Sequence, residues 1–421
     1  MIIQNFNTLA TTPERKIVLE LIETALQSIQ PEEVFKKNVS LNENNLQILD
    51  STYDLNLYEH IYLIGFGKGS AKNAKLLENL LGEKLTEGFV IDTEGQDFKK
   101  IEFTKGTHPV ISKGNIDFTE KVITRYSQLT DKDLVIIIVC GGGSAMFEYP
   151  HSVTLEQKID IEKSLLKSGA TIIEMNKVRQ HLSDVKGGGL AQILFPATIA
   201  TLIYSDVPGN DISYIASGPT TKTDSTIDDA VTLIQKFNIA GVARESFIEN
   251  PKDDKYFKNV HNHIVLSNLT ALNAMMEKAK ELNITATISS DKFQSIAQEA
   301  GRKLIEQTKN GEILLAGGET TVHVTGNGIG GRNQEVVLGS LSTIQTGTII
   351  ASFASDGWDN CEVAGAIGDF QTIEEAKGKN LSIEEYLKNN NSLEFFQKTD
   401  DAIMTGRLPS NVSDLFIVYK T

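Results

Sequence analysis

Apolar residues recur at Ile17, Leu21, Ala25 and Ile29, four apart, with Thr12 and Pro13 at the front. That spacing and that start signal predict a helix over residues 12–37. The period then changes. HIYLIGFG is a short apolar run closed by glycine and reads as a strand. SAKNAKLLENLLG returns to helical spacing and stops at Gly82, and EGFVID reads as a second strand. DLVIIIVCGGG is continuously apolar, the pattern of a strand buried on both faces of a parallel sheet, and TIATLIYSDV repeats it. Strands alternating with helices predict βαβ units and an α/β domain.

Residues 236–262 are more polar. They contain Pro251 and the charge cluster ENPKDDKYFKN, and read as a linker. A second α/β pattern follows: NHIVLSN as strand, LTALNAMMEKAKELN as helix, ITATISS as strand, QSIAQEAGRKLIEQTKNG as helix, EILLAGGETTVHV as strand or hairpin, and GTIIASFASDG as strand. The expected division is therefore 1–240 and 260–421, in keeping with 421 residues being too many for one ordinary core. The NNNS at Asn389–Ser392 reads only as short and polar.

Composition narrows the function. A net charge of −15 excludes a nucleic-acid backbone as the main partner, but not small anions, which need only a local positive site. No run approaches the roughly 18–20 apolar residues of a membrane span. MIIQNFNTLATTPERK lacks the features of a signal peptide. Cys140 and Cys361 form neither a metal-ligand spacing nor a disulfide framework. The expected location is the cytoplasm.

Candidate chemistry gathers at strand ends, where open α/β sheets bind ligands. In IGFGKGSAKNA, glycines flank Lys68 between a strand and a helix, a suitable cradle for phosphate. It is not a P-loop, because Tyr62 and Gly69 stand where Gly and Ser or Thr are required. It nearly matches the dinucleotide fingerprint through Gly65, Gly67 and Ser70, with Asp92 ending the next strand; a plain βα turn with a solvated lysine is the simpler alternative. In VCGGGSAMFEYP three glycines precede Ser144. A nucleophile elbow would need glycine where Met146 stands, so backbone amides cradling an anion fit better.

The helix opened by a Thr171–Glu174 capping box carries Asn176, Arg179, His181 and Ser183, with Lys186 and another glycine triplet after it. Each alone reads as a solvated polar face. Asp206 and Asp211 flank a Pro-Gly turn, and Asp356 and Asp359 repeat the theme later; capping and Asx turns are the alternatives for these. Finally, GNGIGGRNQEVV places Arg332 on a glycine loop at a helix start, where the dipole is already positive, so an anion is expected there. Lys68, Lys186 and Arg332 would hold phosphates, while Asp206, Asp211 and Asp356 would serve a metal and a hydroxyl. Those parts suit phosphoryl transfer.

The blocks GFGKGSAKNA, THPVISKGN, CGGGSA, LLKSGATIIEMNKVRQHLSDVKGGGLA, SDVPGNDISYIASGPT, GGETTVHVTGNGIGGRNQE and SDGWDNCEVAGAIGD resemble, in order, the signature blocks of the glycerate 2-kinase family, whose C-terminal part is called MOFRL. The resemblance implies two α/β domains, a larger N-terminal Rossmann-like three-layer domain and a smaller C-terminal MOFRL-type domain, with the active site in the cleft between them. It implies ATP- and Mg²⁺-dependent phosphorylation of D-glycerate at its 2-hydroxyl. Lys68 and Arg332 match the family's proposed catalytic pair, and Asp206 is the third catalytic candidate. Gly67, Gly142, Gly143, Ser144, Asn176, Arg179, Lys186, Glu319, Gly330, Gly331 and Asn333 are assigned to substrate or nucleotide, with Arg179 or Lys186 on the glycerate carboxylate, and Asp211 and Asp356 to the metal. A homodimer stays open.

The chain departs from the family pattern in TGRLPSNV, SDGWDN and PGND, which bring in Arg407, Trp358, Asn360 and Asn210. The alternative readings are a kinase for a related hydroxy acid, a sugar-acid or nucleotide sensor on the same scaffold, and a nucleotide-dependent hydroxypyruvate reductase. Against the reductase stands Lys68, a charge that a dinucleotide loop does not need.

Overall fold

The computed structural model covers residues 1–421. The chain forms two compact units. One comprises Phe35–Ser205 and Asn210–Val265; the other comprises Met1–Val34, Asp206–Gly209 and Leu266–Thr421.

The first unit is built on six strands in the spatial order Ile101–Lys105, Glu87–Asp92, His60–Phe66, Asp133–Val139, Thr198–Tyr204 and Val260–Leu266. Numbered along the chain, that order is 3-2-1-4-5-6, the order of doubly wound dinucleotide-binding sheets. The first five strands pair in parallel, with Leu63 opposite both Gly88 and Ile136. All of Asp133–Val139 is buried, as its unbroken apolar run requires. The order reverses between His60–Phe66 and Asp133–Val139, the switch point at whose carboxyl ends doubly wound sheets bind their ligands.

A three-stranded antiparallel sheet over Val39–Asn42, Asn45–Ile48 and Ser51–Asp54 was not foreseen, because four-residue strands show too little alternation. Nor is 236–262 a linker. Asn250 Nδ2 donates to the Gln180 and Lys186 carbonyls at 2.9 and 3.2 Å, and Lys252 Nζ to those of Thr223 and Ser225. Asn250 and Lys252 thus tie the segment into the unit, while most of its charged residues stay exposed.

The second unit has the sheet order Thr285–Phe293, Glu312–Gly318, Asp414–Lys420, Thr348–Ala354, Gly365–Gly368 and Ala402–Ile403. Thr285–Phe293 and Glu312–Gly318 are parallel, and the other neighbours are antiparallel. The Asp414–Lys420 strand thus runs against both of its neighbours. Its first residue, Asp414, pairs with Gly318 on one side and Ala354 on the other, where those strands end. Helices Ala297–Gln307 and Arg332–Ser340 close a core that includes Leu304, Val336, Val337, Ile350 and Phe416. Burying such side chains contributes about 1.5–3 kcal/mol each.

Residues 1–34, expected with the first domain, pack in this second unit. Val18, Leu21, Ile22 and Ala25 are fully buried, and Arg15 pairs with Asp369 and Asp401 at 2.6 and 2.7 Å. The expected 12–37 helix is two helices, Pro13–Ser28 and Pro31–Asn38. Pro31 has no N–H to continue the ladder and disfavours helical geometry at Gln30.

Candidate active site

In the first unit, two loops meet at the switch point. Lys68 N donates to the Gly141 carbonyl at 2.8 Å and Cys140 N to that of Phe66 at 3.0 Å, which ties the two strand ends together. Gly67 has φ +103°, and a Cβ there would run into the Cys140 carbonyl, so the loops approach this closely only with glycine. Lys68 is exposed and forms no ion pair. The N–H groups of Gly142 and Ser144 have no partner within the protein. A lysine charge beside open amides suits an anion, the role expected of Lys68, Gly67, Gly142, Gly143 and Ser144, although the Gly143 N–H is taken by the Cys140 carbonyl at 3.1 Å.

The helix start beside Lys68 is not open. The Asp92 carboxylate accepts the N–H groups of Gly69 and Ala71 at 2.9 and 3.0 Å, and that of Thr93 at 2.6 Å. Burial raises its pKa against these bonds. In a dinucleotide fold this carboxylate would face the ribose hydroxyls and those amides the pyrophosphate. Here they satisfy each other.

Several expected ligands turn out to be internal. Lys186 is fully buried; its Nζ donates to the Ser144 and Phe147 carbonyls at 2.7 and 3.1 Å and pairs with Glu148 at 3.0 Å. Burial lowers the Lys186 pKa against the pull of Glu148. Burial also opposes the Glu148 charge, but Lys158 and Lys186 outweigh it and keep its pKa low. Lys186 therefore holds the 141–147 backbone from beneath and does not contact phosphate. Arg179 is engaged by Glu162 at 2.7–3.1 Å, so its fork is not free for a carboxylate. His181 is buried between the Ile248 carbonyl and Ser225 Oγ, a structural role. The amides of Gly187–Gly189 bond to Ser217, Gly218 and Lys186 carbonyls, leaving no cradle there.

Asn176 acts through a relay. Its Oδ1 accepts from Ser217 Oγ at 2.7 Å, and Ser217 Oγ lies 3.0 Å from Ser144 Oγ. Ala216 and Ser217 are both left-handed, with φ of 50° and 63°, a costly backbone for side-chain-bearing residues. A residue that sequence reasoning missed, His108, packs over Gly142. Loss of surrounding water, then the Lys68 charge, lowers its pKa, so it is a neutral neighbour of Lys68. Its only signal was its place within the THPVISKGN block.

In the second unit, a cavity of about 670 Å³ is lined by Glu319, Gly330, Gly331, Arg332, Asp356, Trp358 and Asp414, among others. Arg332 Nε lies 2.6 Å from Asp414 Oδ2, Nη2 donates to Asp414 Oδ1 at 3.2 Å, and Nη1 pairs with Glu319. Burial pushes the Asp414 carboxyl up to about 7, against the pull of Arg332. The anion expected at this helix start is thus partly the protein's own. Asp359, also buried, accepts the N–H groups of Asn333 and Gln334 at 3.0 and 2.9 Å and both of their side-chain amides. Asn333 is accordingly a buried strut, which also bonds Asp414 and Ser352. A Cβ on Gly331 would overlap Asp359, so glycine is required there by contact.

The loop before Arg332 is held by the Asn389–Asn391 run. Asn390 Oδ1 accepts from Thr325 and Gly326 N–H, Asn389 Oδ1 from Asn327, and Asn391 Oδ1 from Ile329. Short asparagine runs look like linkers; nothing local marks this one as a clamp.

The carboxylates expected at a metal do not assemble. Asp211 Oδ1 accepts from Ser213 N and Oγ, and Asp356 Oδ1 from Trp358 N, both Asx turns. No group of three or more potential metal ligands forms. Asp206 follows the Thr198–Tyr204 strand and is half-buried.

A lysine among open amides at a switch point defines a phosphate-handling α/β enzyme. Residues 17–249 match a family described as a domain of unknown function, DUF4147, and residues 312–414 match the MOFRL family. The D-glycerate 2-kinase of Thermotoga maritima is 34% identical, with 96% of this chain and 97% of that protein covered. The glycerate 2-kinase of Picrophilus torridus is 33% identical over 99% and 98%. A crystal structure of glycerate kinase from Thermotoga maritima superposes with a TM-score of 0.86 at 32% identity, covering 96% of this chain and 99% of that one. The chain belongs to the glycerate 2-kinase family.

Proposed function

We propose that the protein transfers the γ-phosphoryl group of ATP to the 2-hydroxyl of D-glycerate, giving 2-phosphoglycerate and ADP. The observation that carries this reading is Lys68: an exposed, unpaired cation at the switch point, beside the open amides of Gly142 and Ser144. Phosphoryl transfer needs positioning and charge neutralisation more than covalent chemistry, and Lys68 supplies a charge that a dinucleotide loop does not need.

Lys68 and the loop amides stabilise phosphate oxygens. Arg332, oriented by Asp414 and Glu319, keeps two of its five N–H groups uncommitted, and these face the charge that develops in transfer. Asp206 accepts the hydroxyl proton as the acceptor oxygen attacks. A Mg²⁺ ion, where bound, would need only one or two carboxylates from the protein. Asp356, facing the cavity with one oxygen outside its Asx turn, would hold it, and Asp211 is the other candidate. The ion would neutralise phosphate charge. Such a kinase works in the cytoplasm, where ATP is supplied.

The reading is tested by incubating the protein with ATP, Mg²⁺ and D-glycerate and following ADP. Turnover that requires D-glycerate supports it. No turnover, together with oxidation of NADH or NADPH by hydroxypyruvate, would replace it with the reductase.

A further inference from the structure

The cavity beside Arg332 is rich in carboxylates: Glu319, Glu335, Asp356, Asp359 and Asp414 line it, and Arg332 is the one cation among its lining residues. Arg332 is already paired with Asp414 and Glu319. An anionic ligand entering this cavity therefore needs a second, uncommitted cation.

Arg407 is such a group. Its guanidinium carbon sits 3.8 Å from the centre of the Trp358 ring, and Trp358 lines the cavity. Arg407 is exposed and has no carboxylate partner. The two loops that carry the pair are locked together: Leu408 N donates to the Asp356 carbonyl at 2.8 Å, and Gly357, at φ +75°, abuts the Gly406 carbonyl. Stacking on an aromatic face fixes the plane of a guanidinium while leaving its N–H edge free. A fixed planar fork matches the two oxygens of a carboxylate or phosphate.

We propose that Arg407, lying over the Trp358 ring beside this cavity, is a receptor for a substrate anion there. It takes the paired oxygens of a carboxylate or phosphate on a bound substrate, and Trp358 is its positioning residue. The inference rests on the kinase reading for its anionic substrate and for the choice of probes.

Trp358 is the only tryptophan, so intrinsic fluorescence reports on this site alone. The full-length protein is titrated separately with D-glycerate, Mg·ADP and inorganic phosphate, following Trp358 emission and calorimetric Kd. The expected result is a saturable emission change with at least one probe, and a Kd for that probe raised about 10-fold or more in Arg407→Ala, the scale of losing a charged hydrogen bond. Arg407→Lys, with charge but no planar fork, falls between. A response to D-glycerate alone assigns the carboxylate; a response to Mg·ADP or phosphate assigns the phosphate. If every Kd stays within about twofold in Arg407→Ala, or no probe alters Trp358 emission, the receptor is disproved. A protein that binds a probe through Arg407 yet fails to phosphorylate D-glycerate would retain this inference and lose the kinase assignment.

Discussion

Asp414 holds Arg332 Nε at 2.6 Å from the first residue of a strand whose two neighbours both end beside it. The sheet register therefore sets the direction of the arginine. Asp414→Asn keeps the shape but removes the charge, and kcat should fall about 10²-fold with KM little changed, the pattern of an interaction realised in the transition state. A rise in KM with kcat intact would make Arg332 a binding group.

The same carboxyl gives a pH signature. Burial raises the Asp414 pKa to about 7 in the fold, while an unfolded aspartate titrates near pH 4. Between those values the folded state holds the extra proton. This contribution favours the fold at the acidic end and is lost as pH rises through about 7. Thermal midpoints of wild type and Asp414→Asn, compared from about pH 5 to 8, should show the wild type losing stability relative to the variant as pH climbs. A constant difference would place the carboxyl's titration elsewhere.

The two lysines that looked alike in sequence should behave oppositely. Lys68→Ala removes an exposed side chain; stability should stay within about 0.5 kcal/mol while kcat drops about 10²-fold or more. Lys186→Met leaves buried Glu148 with Lys158 alone and should cost about 3–5 kcal/mol in denaturant unfolding.

Asp359→Ala removes the buried carboxylate that accepts from four donors at the start of the Arg332–Ser340 helix. Unfolding free energy should fall by about 2 kcal/mol or more. A loss near zero would mean that solvent replaces the cap.

Asn390→Gly removes the clamp on Thr325 and Gly326 while accommodating the left-handed backbone, φ +51°. Leaving those amides unbonded should cost about 1–3 kcal/mol, and kcat should fall more than KM rises as the Arg332 loop loosens. Unchanged kinetics would separate the clamp from the site.

Much of the fold was legible in the chain. Residues 60–92, 133–139 and 198–204 carried their periods openly, because long buried strands and capped helices impose strong patterns. The Asp414–Lys420 strand was missed, although its insertion between two parallel strands creates the Arg332 site. Its partners are about a hundred and about sixty residues upstream, a relationship no local window contains. The glycine loops of Lys68 and Arg332 were visible, but not that Asp92 and Asp359 cap the helices behind them. Such carboxylates look the same in sequence whether they meet a ligand, a metal or a backbone amide. For that reason Lys186 and Arg179 also looked like ligands: a buried or paired cation and a free one share the same letter.

The central claim is transfer of phosphate to one particular hydroxyl. The most direct measurement is phosphorus NMR of the products from ATP, Mg²⁺ and D-glycerate. The account predicts ADP and 2-phosphoglycerate in equal amounts, formed only when D-glycerate is present and suppressed in Lys68→Ala. Phosphate on the 3-hydroxyl, or ADP released at the same rate without D-glycerate, would contradict it.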